Sequence, residues 1–131
     1  MRASSKTLFG AVAILAVWAL LCAAVEAAPR VTRNVTPMEG GGFLVKIRVT
    51  AVGDNVYGLR LVDPLASIRN VYAPKGWCMV TDGEELIART GSEPVKDGAT
   101  LEFIIHADSD KIAYVWTAFD RMKQIGTPGS L

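Results

Sequence analysis

Histidine and cysteine are nearly missing from this chain. His106 is the sole histidine, which removes multi-histidine metal centres and most catalytic triads. No Gly-x-Ser-x-Gly element is present, so a serine-hydrolase nucleophile has no local signature. Of the two cysteines, Cys22 lies in an apolar N-terminal run, so Cys78 stands alone in the rest of the chain and no internal disulfide is expected. A lone thiol within Trp77-Cys78-Met79-Val80 is expected to be buried, as small hydrophobes are. An excess of one charge is missing too. Setting aside Arg2, Lys6 and Glu26, basic and acidic residues balance at 12 each, with no lysine or arginine cluster. Nucleic acid is therefore not an expected partner. The chain reads as non-catalytic and free of cofactors. Low-complexity tracts and internal repeats are also absent.

What is present begins with an export signature. Arg2 and Lys6 precede an uncharged apolar stretch from Leu8 to Val25, and Val25-Glu26-Ala27 supplies small residues where a signal peptidase reads them. Cleavage after Ala27 is expected, giving a signal peptide over 1–27 and one domain over 28–131. If this segment were retained, its apolar stretch is just long enough to anchor the chain in a bilayer. The expected location is secreted or cell-envelope associated, with membrane contact only through an uncleaved segment.

The remainder is rich in period-two runs. In 43–52, Phe43, Val45, Ile47, Val49 and Ala51 alternate with Lys46, Arg48 and Thr50. In 55–63, Tyr57, Leu59 and Leu61 oppose Arg60, and in 100–107, Leu101, Phe103 and Ile105 oppose Glu102, Ile104 and His106. Residues 112–119 are apolar on both faces, as a central strand would be, and 30–36, 67–73, 77–81 and 85–90 complete about eight strands. Turn residues separate them throughout: Gly40–Gly42, Gly53-Asp54-Asn55, Pro74–Gly76, Asp82–Glu84, Gly91–Gly98 and Asp108–Lys111. Strands at this spacing without helices predict an all-β chain of two antiparallel sheets packed face to face. Runs 43–52 and 55–63 form either a hairpin with a three-residue loop or a crossover between sheets. Either way, Gly53 and Asn55 are expected to take left-handed backbone angles. The last residues, from Ile125, are expected to be a strand end and a loose tail.

The order "VTAVGDNVYGLRLVDPL", "GWCMV", an acidic-glycine turn, "LIART" and "PVKDGATLEFIIHA" resembles the immunoglobulin-like repeat domain of bacterial and archaeal surface proteins, over Phe43 to Ala107. Many members carry a second cysteine where this chain has Leu86 or Ile87. The resemblance implies an immunoglobulin-like β-sandwich of about seven or eight strands. It also implies an adhesive or envelope-scaffold role, with a protein or cell-envelope partner.

Three constellations could bind a ligand. Asp82 and Glu84 in one turn, with Asp108 and Asp110 in another, supply the oxygen ligands that calcium requires, although no twelve-residue calcium loop is present. Tyr114 and Trp116 share one face of 112–119, and Tyr72 flanks the Pro74–Gly76 turn with Trp77; exposed rings of this kind could stack on a polysaccharide. Trp77 is expected in the core, whereas Tyr114 and Trp116 would be exposed if Ala113, Val115, Thr117 and Phe119 face inward. His106 beside Glu102 is an ordinary half-exposed strand residue. The sequon at Asn34 is followed by Pro37, which makes it a poor acceptor.

Overall fold

Alternation becomes two layers once the strands pair. The computed structural model describes residues 27–121 and 123–131. The expected leader therefore lies outside the described residues, apart from Ala27. The described residues form nine strands and no helix: β1 (Arg30–Pro37), β2 (Phe43–Thr50), β3 (Gly58–Val62), β4 (Ile68–Tyr72), β5 (Cys78–Thr81), β6 (Glu85–Arg89), β7 (Thr100–Ala107), β8 (Val115–Phe119) and β9 (Gln124–Ser130). Four make one sheet in the order β1-β2-β7-β4, and five make the other in the order β5-β6-β3-β8-β9. Every pairing is antiparallel.

The core is the set of inward residues. Val45, Ile47 and Val49 of β2 with Phe103 and Ile105 of β7 face Leu59 and Leu61 of β3 and Leu86 and Ala88 of β6, all essentially inaccessible. Each such aliphatic side chain contributes about 1.5–3 kcal/mol by leaving water. Trp77 closes one end: its ring meets Phe103 edge-on at 5.0 Å, and its Nε1 donates to the Glu93 carbonyl at 2.8 Å. The inward alternation expected for 43–52 and 100–107 is the one observed.

Runs 43–52 and 55–63 do not form a hairpin. They lie in different sheets, and the chain between them is the crossover corner. Gly53 has φ +81°, whereas Asn55 has no positive φ. Asn55 instead accepts a hydrogen bond from the Asp97 amide at 2.9 Å, and Asp97 accepts one from the Gly53 amide at 2.8 Å. The turn is thus tied to the loop before β7, and the Gly53 and Asp97 amides are satisfied by these side chains.

The end of the chain is a strand rather than a tail. β9 pairs along β8, and the Leu131 amide donates to the Tyr114 carbonyl at 2.8 Å. In the other sheet, Arg33 of the edge strand β1 lies in the core-facing register but stays exposed at the edge, where its guanidinium donates to the Ile112 carbonyl at 2.8 Å. A charge at such a position on an edge strand discourages a further strand from adding there.

Candidate functional site

The outer face of the five-stranded sheet carries a groove of about 640 Å³. Strand register builds it. Cys78, Arg89, Gly58, Phe119 and Gln124 lie in one row across β5, β6, β3, β8 and β9. Val80, Ile87, Arg60 and Thr117 form the next row. Neighbouring strands are about 4.8 Å apart, so Arg89 and Phe119 stand roughly 10 Å apart with only glycine between them. Gly58 has no positive φ, so backbone freedom does not require glycine here, and its lack of a side chain leaves the row low at this point. A Cβ at Gly58 would lie 3.4 Å from Phe119 Cβ and 3.8 Å from its Cδ2, so the ring leans over the glycine. Glycine inside a strand often marks such a close approach.

Backbone bonds fix the upper rim. The Tyr57 amide donates to the Phe119 carbonyl at 2.9 Å, and the Thr90 amide donates to the Tyr57 carbonyl at 3.0 Å. Thr90 Oγ1 in turn donates to the Gly76 carbonyl at 2.7 Å and accepts from the Glu93 amide at 3.0 Å. The Arg121 guanidinium lies 4.8 Å from the centre of the Tyr57 ring, a cation–π distance. Below, Arg60 donates to Glu85 at 2.7 Å across the sheet diagonal, and that hydrogen bond, with the carboxylate's charge, raises the guanidinium pKa further. Arg89 has no carboxylate partner among the described residues. The groove therefore offers cations and aromatic faces, with no nucleophile held by a general base.

The aromatic platform expected from the sequence is not formed. Tyr114 is fully buried and Trp116 is 9 % exposed. The strand begins only at Val115, and Val115, Thr117 and Phe119 face outward while Trp116 and Ala118 face the core. With apolar residues on both faces, the contacts decide the orientation. The Trp116 indole lies against Gly129 of β9, where any side chain would collide with the ring. Tyr114 places its hydroxyl in the interior near the Ser67 hydroxyl, without a hydrogen bond of good geometry. Desolvation, aided by the nearby charge of Asp63 and opposed by Ser67, pushes its pKa up to about 12. Tyr72 is 47 % exposed, but it lies on the outer face of the other sheet, opposite Ile104. These three rings cannot stack together on one ligand.

The acidic residues are likewise committed to their own turns. Asp82 Oδ1 accepts the amides of Glu84 at 3.0 Å and Glu85 at 2.9 Å, and these bonds, that of Glu85 foremost, hold its carboxyl below the usual range. Asp108 pairs with Arg69 at 3.0 Å. Glu84 and Asp110 join neither into a ligand set. Among the described residues, no group of three or more histidine, cysteine, aspartate or glutamate side chains is placed to hold a metal ion.

Of two further residues, Cys78 departs from expectation and the half-buried His106 does not. Cys78 is exposed and unpaired, because β5 is an edge strand whose core-facing positions belong to Met79 and Thr81. His106 is half-buried, and its Nε2 is covered by the Gly42 backbone with no hydrogen-bond partner. Glu102 is turned away to Arg48, at 3.0 Å. Sequence reasoning missed Gly58, Arg89, Phe119 and Arg121. The one local signal was glycine inside the run "NVYGLRLVD".

No family model matches the chain, and no curated protein matches it. Among solved structures it is similar to an uncharacterized protein from Nocardia farcinica, whose crystal structure reveals an immunoglobulin-like fold. The TM-score is 0.57 at 14% sequence identity, over 76% of this chain and 81% of that one. Two antiparallel sheets, the packing between them and this likeness together make the chain an immunoglobulin-like β-sandwich.

Proposed function

We propose that this protein is a secreted, non-catalytic binding module that acts at the cell envelope and engages a partner protein through the outer face of its five-stranded sheet. The observation that carries this reading is the groove over Gly58, walled by Arg89 and Phe119. Around it the face exposes Val80 at 56% and Val115 at 43%. Arginine and aromatic side chains beside exposed aliphatics match the composition of protein interfaces. The export signature and the resemblance to surface-protein repeats favour a place outside the cytoplasm. A single histidine, lying on the other sheet, favours binding over catalysis.

Retention on isolated cell-envelope material tests the reading. Ile87→Glu puts a charge into the groove floor without touching the core, and should abolish co-sedimentation with that material. Tyr72→Ala, on the opposite sheet, should leave it intact. Retention that survives Ile87→Glu and disappears with Tyr72→Ala would assign binding to the other face.

A further inference from the structure

We propose that the groove over Gly58 receives a carboxylate side chain from an acidic segment of the partner protein, held between Arg89 and Arg121 with its apolar neighbours on Val80 and Val115. This rests on the binding role proposed above and names what is bound. Three strand arginines face a carboxylate, Arg48 with Glu102, Arg60 at the groove with Glu85 and Arg69 with Asp108, whereas Arg30 and Arg33 of β1 pair with none among the described residues. The two remaining arginines of the groove are also without one. Arg89 has no such partner among the described residues, and Arg121 rests on the Tyr57 ring. Asp120, the acidic residue at the groove, accepts the Lys123 amide at 2.7 Å and lies 4.0 Å from the Lys123 ammonium.

Guanidinium groups recognise carboxylates through two parallel N–H···O bonds, and such charge-assisted bonds are roughly twice as strong as neutral ones. The absence of a side chain at Gly58 leaves a low point in the row between Arg89 and the Phe119 ring, where an incoming carboxylate can approach the sheet beside the guanidinium. The exposed aliphatics at Val80 and Val115 favour a polypeptide over an anionic sugar chain, because only the polypeptide brings side chains to bury there.

Two blocked tripeptides serve as probes, acetyl-Glu-Phe-Glu-amide and acetyl-Gln-Phe-Gln-amide, titrated into the ¹⁵N-labelled protein. The acidic peptide should shift the amide signals of Gly58, Arg89 and Arg121, and the neutral one should bind about tenfold or more weakly, as expected for losing charge-assisted bonds. Arg89→Gln and Arg121→Gln, which keep a long polar side chain, should each weaken the acidic peptide by a similar factor while leaving the rest of the spectrum unchanged. Added salt should weaken it further. Equal affinity for both peptides, or no effect of Arg89→Gln, overturns the carboxylate assignment and leaves the groove as a binding face. If neither peptide shifts the groove signals, the assignment also falls. Ile87→Glu then distinguishes the two failures: envelope retention lost with that variant preserves the binding face, and retention unchanged removes it.

Discussion

The Asp63 carboxyl, fully buried at the end of β3, accepts both the backbone amide and the hydroxyl of Ser67, at 2.6 and 2.7 Å. Its other oxygen accepts the Leu65 amide at 3.0 Å, so one side chain satisfies the donors of a whole corner. Within that corner Ala66 sits at φ +51°, an angle that costs a residue with a Cβ about 1–2 kcal/mol. The acidic turn at Asp63-Pro64 is thus a corner, and the carboxyl is what holds it.

Asp63→Ala is expected to destabilise the domain by at least about 2 kcal/mol, since it strands several buried donors. Urea unfolding measures this. Ala66→Gly should be neutral or slightly stabilising, because relief at positive φ offsets the greater freedom of the unfolded glycine. A large loss on Ala66→Gly would mean that the angle is not strained.

Both buried tryptophans should behave as core residues. Trp77→Ala and Trp116→Ala are each expected to cost about 3–5 kcal/mol in thermal or chemical unfolding. Gly129→Ala should cost about 1–3 kcal/mol by forcing the Trp116 ring out of its seat. If Trp116→Ala left stability unchanged, the inward orientation of β8 would be wrong.

Tyr114 should show itself at alkaline pH. Its folded pKa of about 12 exceeds the ordinary value of 10.0, so between those values the unfolded chain releases the proton first. The stability linked to this group is full below about pH 10 and falls as pH rises towards 12. Tyr114→Phe should remove that part of the alkaline slope, and should cost little at neutral pH because the lost hydroxyl makes no hydrogen bond of good geometry. An unchanged slope in pH-dependent unfolding would argue against the buried hydroxyl.

Asp82 should act at the acid end. Its lowered folded pKa means that its contribution is present above the unfolded value and is lost as pH falls through the folded one. Asp82→Ala should therefore flatten the acid side of the stability profile. Added calcium should leave the melting temperature unchanged, because among the described residues no other acidic side chains are gathered with Asp82 to hold the ion. A rise of several degrees that Asp82→Asn abolishes would reverse this.

By itself, the sequence determined most of the strands, the inward residues of those with one polar face, and the two-sheet class. Alternation is a local property, so Val45, Ile47 and Val49 against Lys46 and Arg48 name one face as buried whatever the strand pairs with. Turn residues mark the breaks for the same local reason. The orientation of β8 was not legible, because both faces of 112–119 are apolar and the pairing of β8 with β3 and β9 decides which one meets the core. Nor was the exposure of Cys78, since a strand carries no mark of lying at an edge. The groove is the extreme case. Arg89, Gly58 and Phe119 are distant in the chain and become neighbours only because β6, β3 and β8 lie side by side, a pairing set by packing across the whole sandwich.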